Sequence, residues 1–390
     1  MRILIVHNIL NDSRSVSGVL TEYAHMANAW IEAGHQTDFL VAKAGWPQFQ
    51  KLAPRSRLIN SDGLFDATRY LSQSWRYFPA YAYRMLTAHW VRLPDRYDII
   101  YASSQFIIEI YAALVLSHRQ PAKLVVKIQH VLAGQAARKG FFDKLFLWAE
   151  RRSARWINRR FDLLLGLSTT VAKHYQEFER SLGLSPRPIQ SSGCGIDLER
   201  FSQVPTSSKK FDVVVLGRLH EQKGIFELPL VWRRILDAVP HARLLVIGEG
   251  PHRQRTEQLF AELGMMESVL FSGGISEPEK NKLLGQSKIG LSLSYEEGWG
   301  LSITEFLAVG LPVVAYDLPV FAEVFPGQLQ LVTPHDQARA ASTILALLKD
   351  DERRTALGHG GKEFVSRYDY RLMAQAELAR LSTLLDSKAE

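Results

Sequence analysis

LSLSYEEGWGLSITEFLAVGLPVVAYDLPV, residues Leu291 to Val320, is the stretch from which the fold can be read. The apolar run Ile289–Leu293 leads into it and has the character of a strand buried on both faces, as in a parallel sheet. Gly298-Trp299-Gly300 then makes a turn. From Ser302 to Val309 the apolar positions Ile303, Phe306, Leu307 and Val309 recur at helical spacing, with Leu301 or Ser302 at the helix start. Gly310 and Pro312 end the helix, and Val313–Tyr316 is a second buried strand. Strand, glycine turn, helix, strand is the repeating unit of a doubly wound α/β domain.

The chemistry of this unit points to a ligand carrying both charge and hydroxyls. A helix N-terminus exposes unpaired N–H groups and the positive end of the helix dipole, and glycines let a phosphate approach the backbone. Glu297 and Glu305, eight positions apart, flank that turn. Carboxylates repel phosphate, so they are suited to hydroxyls. A nucleotide-sugar offers both kinds of group. Taken by their spacing alone, the two carboxylates fit a solvated loop and a solvated helix face equally well.

EEGWGLSITEFLAVGLPVV resembles the E-x7-E segment of retaining glycosyltransferases of family 4, which have the GT-B fold. The resemblance extends over most of the chain. It implies two Rossmann-like doubly wound domains facing across a cleft. The expected divisions are an acceptor-side domain over 1–190, a nucleotide-sugar domain over 191–365, and a helical segment, 366–390, that returns to the first domain. It also implies that Glu297 meets the donor sugar and Glu305 the ribose. The backbone of Gly298, Trp299, Gly300, Leu301 and Ser302 would meet the sugar and diphosphate. Trp299 departs from the family, where Phe is commoner.

Other parts of the chain fall into the same order. Ile3–Val6, the loop Asn8–Gly18, a helix from Val19 to Glu32, and Thr37–Ala42 form a doubly wound opening without G-x-G-x-x-G, which argues against a dinucleotide dehydrogenase. Gly18 resembles part of the family's N-terminal glycine loop near the donor diphosphate. Asp98–Ala102, Leu124–Gln129 and Asp162–Leu167 read as further strands. His130 follows one of them where the family often has His-Asp, and the resemblance gives it a donor-sugar contact. Here Val131 replaces the Asp. Ser185–Pro188 reads as a linker, and GCGIDLERF (193–201) resembles the entry into the second domain.

The second domain opens with Phe211–Leu216 and Gly217-Arg218-Leu219-His220-Glu221-Gln222-Lys223-Gly224. Arg218 and Lys223 are two cations on one glycine loop, able to hold an anion bidentately and as a point charge respectively. The resemblance assigns them to the donor diphosphate, with Gly217 beside them. Arg243–Ile247 and Val269–Ser272 are strands. The resemblance implies that Ile275, in the turn after the latter, faces the nucleobase through its backbone. The tail from Asp351 onward reads as helical, returning to the first domain.

Composition bounds the rest. The chain has 390 residues, 46% hydrophobic and 22% charged, as in globular proteins of two domains. One cysteine, Cys194, excludes an internal disulfide and a cysteine-cluster metal site, and fits a reducing cytoplasm. MRILIVHNIL reads as a first strand instead of a leader, and no run reaches membrane-spanning length.

The net charge is +7. Arg138–Arg160 holds eight Lys or Arg against Asp143 and Glu150, on an amphipathic helix bearing Phe142, Leu145, Phe146, Ala149, Ser153, Trp156 and Ile157. That segment fits a packed surface helix, an acceptor-binding face or an anionic membrane surface. Residues 60–94 interleave Phe65, Tyr70, Trp75, Tyr77, Phe78, Tyr81, Tyr83 and Trp90 with Arg69, Arg76 and Arg84. A helical pair packing its aromatics inward is expected, with an acceptor- or membrane-facing surface as the alternative.

The resulting expectation is a retaining transferase moving sugar from a nucleoside-diphosphate sugar to a glycan or lipid-linked acceptor of cell-envelope polysaccharide synthesis. It needs no cofactor and no metal, and it does not bind nucleic acid. It is cytoplasmic, or peripheral on the inner membrane face. A phosphorylase, a nucleotide-sugar epimerase and a non-catalytic nucleotide-sugar or membrane binder are the alternatives.

Overall fold

The computed structural model describes residues 1–8, 18–62, 77–131, 141–204 and 209–387. Its contacts divide the chain into two units, Met1–Gly195 with Tyr370–Glu390, and Ile196–Asp369.

In the first unit the strands are β1 (Arg2–His7), β2 (Gln36–Val41), β3 (Leu58–Asn60), β4 (Ile99–Ala102), β5 (Lys123–Ile128), β6 (Leu163–Gly166) and β7 (Gln190–Ser191). The helices are α1 (Gly18–Glu32), α2 (Trp46–Leu52), α3 (Tyr77–Thr87), α4 (Ile107–Ser117), α5 (Phe141–Arg160) and α6 (Thr169–Ser181). All strand pairs are parallel, in the order β3-β2-β1-β4-β5-β6-β7. Ile3 stands opposite both Thr37 and Ile99. The order reverses between β1 and β4, so the crevice at their C-terminal ends is where a ligand belongs.

The second unit contains α7 (Glu199–Ser202), β8 (Phe211–Leu216), α8 (Leu228–Ala238), β9 (Leu244–Ile247), α9 (Arg253–Glu262), β10 (Val269–Gly273) and α10 (Glu277–Gly285). It continues through β11 (Ser287–Ser292), α11 (Leu301–Ala308), β12 (Val313–Tyr316), α12 (Pro319–Val324), β13 (Leu329–Val332), α13 (Gln337–Lys349) and α14 (Asp351–Phe364). Its parallel sheet runs β10-β9-β8-β11-β12-β13, reversing between β8 and β11. Val213, Leu244, Ile289 and Val314 pack beneath Trp232 and Ile235 of α8 and Ile344 and Leu347 of α13. Stacking these apolar faces is the main favourable term for the unit.

The tail divides. Its first helix, α14, stays in the second unit, while α15 (Tyr370–Asp386) lies on α1 in the first. Ala374 and Leu381 join a core with Leu20, Tyr23, Trp30, Phe39 and Tyr101, and Trp30 Nε1 donates to the Ala374 carbonyl at 2.8 Å. Beside this core a buried ionic triad ties helix to sheet. Lys127 Nζ lies 2.5 Å from Glu22 and 3.2 Å from Glu377, and Tyr101 donates to Glu377 at 2.7 Å. Burial alone would lower the Lys127 ammonium, yet the two carboxylates hold it above its ordinary range.

Two expectations need correction. Ser185–Pro188 lies within the first unit ahead of β7 and links no domains. Arg187 fixes it, its N–H on Glu179 at 3.1 Å and its carbonyl accepting from Gln176 at 2.8 Å. In the aromatic segment, Phe65, Arg69, Tyr70, Trp75 and Arg76 lie outside the described residues, as do the side chains of Tyr77 and Phe78. Around α3 the inward-aromatic expectation is reversed at two positions. Arg84 is fully buried, its Nε 2.6 Å from Asp62 and its Nη1 donating to the Asn8 carbonyl, while Trp90 is 72% exposed. The cation is buried because a carboxylate and a carbonyl meet it there.

Lys127→Met strands two buried carboxylates and should destabilise the protein by about 3–5 kcal/mol, measured by denaturant unfolding at neutral pH. Burial already pushes Glu22 upward. A carboxyl raised in the folded state contributes stability at low pH that is lost as pH rises, so the variant should recover as pH falls toward the ordinary carboxylate range. A variant as stable as wild type at pH 7 would contradict the triad's role.

Candidate active site

The site is assembled where the second sheet reverses, from the loop after β8 and the loop after β11. These loops touch. At Gly224, φ is +65° and an added Cβ would fall 2.1 Å from the Leu293 carbonyl oxygen, so only glycine fits. Tyr295 N–H then donates to the Gln222 carbonyl at 2.9 Å, stitching the loops together.

The contact brings Lys223 to Glu297, with Nζ 2.5 Å from Oε1 and the same oxygen accepting from Ser294 Oγ at 2.9 Å. Glu297 is the more enclosed partner, at 11% side-chain exposure against 28% for Lys223. Arg218, after Gly217 on the same loop, is exposed and forms no ion pair with any described residue. A paired Lys and Glu beside an open guanidinium can accept an anion and orient hydroxyls at one place.

Gly298–Ser302 lead into α11. Gly300 has φ +105° and supplies the N-cap position; its Cβ would stand 3.1 Å from both Phe321 and Phe325. No side chain caps the helix start, and the first turn closes with Thr304 N–H on the Gly300 carbonyl at 3.0 Å. The N-terminal amides thus remain open to an anion. Trp299 turns inward, buried with its ring 5.0 Å from Tyr368 in an edge-on contact, so only its backbone stays available to a ligand.

One turn along, Glu305 Oε1 accepts from Lys280 Nζ at 2.7 Å. Lys280 is buried and also bonds Glu277 at 2.9 Å, which in turn pairs with Arg200 at 2.5 Å. Burial pushes the Glu305 carboxyl up and Lys280 opposes it. Burial would also raise Glu277, yet Lys280 and Arg200 together hold it below its usual range.

Lys280, Glu277 and Arg200 escaped the sequence reading. The spacing of Glu277 and Lys280 marks a helical pair, but nothing local ties that pair to Glu305. At the next strand ends, Glu249 after β9 bonds Arg253 and accepts from Gly274 N–H at 3.3 Å. Half-buried Ile275 follows that amide, ahead of α10.

Gly217, Arg218, Lys223, Ile275, Gly298–Ser302, Glu297 and Glu305 therefore share one edge of one sheet. His130 and Gly18 belong to the first unit. His130 follows β5 with its ring 5.9 Å from Phe106, and its carbonyl accepts from Gln105 Nε2. Gly18 begins α1, and residues 9–17 before it lie outside the described residues.

A buried cluster at the β1/β4 reversal also went unread: His7 Nδ1 lies 2.8 Å from Ser103 Oγ, which donates to Glu109 at 3.0 Å, and Asn8 N–H donates to Glu109 at 3.1 Å. Burial pushes Glu109 up to about 7 and His7 down to about 4. Among the described residues no three His, Cys, Asp or Glu side chains gather as metal ligands, and no helix is long and apolar enough to cross a membrane.

Comparison with known proteins adds the family. Residues 17–187 match the family described as "Glycosyl transferase 4-like domain", and residues 197–364 that described as "Glycosyl transferases group 1". The sulfoquinovosyl transferase SQD2 of Arabidopsis thaliana is 24% identical over 291 residues, 70% of this chain and 54% of that one. The phosphatidyl-myo-inositol mannosyltransferase of Mycobacterium leprae is 29% identical over 179 residues, 45% of this chain and 47% of that one. The chain thus matches about half the length of these curated relatives.

Among solved structures, Anabaena HepE in complex with UDP and glucose superposes with a TM-score of 0.74 at 18% identity, covering 98% of this chain and 99% of that one. Sucrose-phosphate synthase from Thermosynechococcus elongatus superposes at 0.76, also at 18% identity, with 100% of both chains covered. At that identity the likeness shows the fold, which is GT-B. Two doubly wound units, matched in order by two glycosyltransferase families that together span most of the sequence, place this chain in glycosyltransferase family 4.

Proposed function

We propose that the chain transfers a sugar from a nucleoside-diphosphate sugar to a hydroxyl acceptor, with retention at the anomeric carbon and without a metal. The carrying observation is the Lys223–Glu297 pair at the β8/β11 reversal, with exposed Arg218 on the same loop. The diphosphate sits against Arg218, Lys223 and the open amides at the start of α11, where negative charge develops as the sugar–phosphate bond breaks. The Gly298–Ser302 backbone carries the sugar and diphosphate, Glu297 orients sugar hydroxyls, and Glu305 takes the ribose. Ile275 meets the base through its backbone.

In the proposed step the acceptor oxygen bonds to the anomeric carbon on the face that the leaving group departs. The carbon–oxygen bond to the diphosphate breaks with its electron pair going to phosphate oxygen. That oxygen takes the acceptor's proton. Glu297 stays non-covalent, held by Lys223 and Ser294. A trapped glycosyl-Glu297 adduct would contradict this and indicate double displacement.

Relatives that act on phosphatidylinositol or diphosphopolyprenol, by their names, support a lipid-linked or glycan acceptor in cell-envelope synthesis. The chain then works from the cytoplasmic face of a membrane. On α5, Lys144, Arg151, Arg152 and Arg159 are exposed together with Trp148 at 59%. This face continues over α4 toward exposed Trp90. Arg152 lies over Trp156, Trp156 meets Tyr111, and Tyr111 OH lies 2.9 Å from His89 Nε2. Exposed indoles among cations suit an anionic lipid surface.

Two outcomes are expected. In EDTA, one class among UDP-, GDP- and ADP-sugars should raise the melting temperature, and Arg218→Ala should lose roughly ten- to hundredfold in nucleotide affinity. Stabilisation by none of them, or binding only with added divalent metal, would contradict the donor site. The chain should also co-sediment with vesicles containing about one-third phosphatidylglycerol, and R151E/R152E should weaken this roughly a hundredfold. Equal binding to neutral vesicles, or none to anionic ones, would overturn the membrane face.

A further inference from the structure

We infer that Lys280 is a positioning residue for the donor's ribose. With Glu277 and Arg200 it forms an alternating chain of charges that fixes the Glu305 carboxylate and leaves one of its oxygens for the ribose hydroxyls, selecting ribonucleotide over deoxyribonucleotide donors. This rests on the proposed donor site and goes beyond it, since none of these three residues belongs to the loops that hold the diphosphate or sugar.

The geometry is directional. Arg200 from α7 meets Glu277 at the start of α10, Glu277 meets Lys280 one turn on, and Lys280 meets Glu305 on α11. Two cations alternate with two anions, so the chain is neutral as a whole. Lys280 itself is buried between the carboxylates, and it contacts Glu305 only at Oε1. Glu305 Oε2 has no hydrogen-bond partner among the described residues, and the side chain keeps 20% exposure. A carboxylate oxygen accepts hydrogen bonds only. Placed at the edge of the site, it discriminates for a ligand with hydroxyls and against one in which a hydroxyl is replaced by hydrogen, because the acceptor, covered by the bound ligand, then stays unmet.

A bulk apolar residue at position 280 would remove this control in two ways. The carboxylate would lose its fixed direction, and its charge would lack compensation in a buried setting. Arginine would keep both the charge and a donor for Oε1.

The test is titration calorimetry with the nucleoside diphosphate that stabilises the wild type and with its 2′-deoxy and 3′-deoxy analogues. The wild type should prefer the ribonucleotide roughly ten- to hundredfold over at least one analogue. Lys280→Met should bring that ratio close to one, and Lys280→Arg should restore most of it. Glu305→Gln should lower the ratio too, and K280M/E305Q should match Glu305→Gln alone. The double variant carries no stranded carboxylate at position 305, so it keeps the comparison open if Lys280→Met folds poorly. A K280M ratio equal to wild type, or a K280M/E305Q ratio well below that of Glu305→Gln, would overturn the inference, as would a wild type that binds ribo- and deoxyribonucleotides alike. Absence of any nucleotide binding by the wild type would instead remove the donor site on which it rests.

Discussion

The second unit depends on a contact too close for any side chain. At Gly224 the loop after β8 presses on the Leu293 carbonyl, leaving 2.1 Å where a Cβ would stand. That approach couples the two loops on either side of the strand-order reversal. It puts a cation from one loop against a carboxylate from the other and opens the start of α11 beside them. The parallel sheet supplies the crevice, and the glycine makes it narrow enough for Lys223 and Glu297 to meet. A larger residue there would separate the two sets of functional groups before altering any of them chemically.

Charge compensation is the second theme. Glu297 is held by Lys223, Glu305 by Lys280, and in the first unit Lys127 is held by Glu22 and Glu377. Each pair takes groups out of water at a desolvation cost that good geometry only partly offsets. The three serve different ends. The Lys127 triad lies under α15 and fixes a helix that returns from the far end of the sequence. The Lys280 chain stands behind the site and reaches it only through Glu305. The Lys223 pair is at the site itself and is the most exposed, which suits a contact that an incoming anion must share.

Much of this was open to reading from sequence because glycines, apolar runs and their spacing report local backbone. The strands Phe211–Leu216 and Val313–Tyr316 fall where their apolar runs predict, and Leu301 begins the helix after the glycine turn. What could not be read is pairing across distance. Lys127 stands in an apolar run that passes for uniform core, and its partners lie on the first and last helices. Lys280 and Glu305 are on different helices with a strand between them. Arg84 counts as one cation among aromatics until Asp62 and the Asn8 carbonyl are seen around it, and Trp90 looks like core by type while it faces solvent. Periodicity carries no information on which distant carboxylate will meet a cation, so the charged half of the site is visible only in the folded chain.

The central claim is that the Lys223–Glu297 pair marks the seat of a donor diphosphate. The most direct measurement is a structure of the chain soaked, in EDTA, with the nucleoside diphosphate that stabilises it. Phosphate oxygens are expected within hydrogen-bond reach of both Arg218 and Lys223, next to the first amides of α11, with Glu297 still in place. A nucleotide bound elsewhere, or one at this edge whose phosphates touch neither cation, would contradict it.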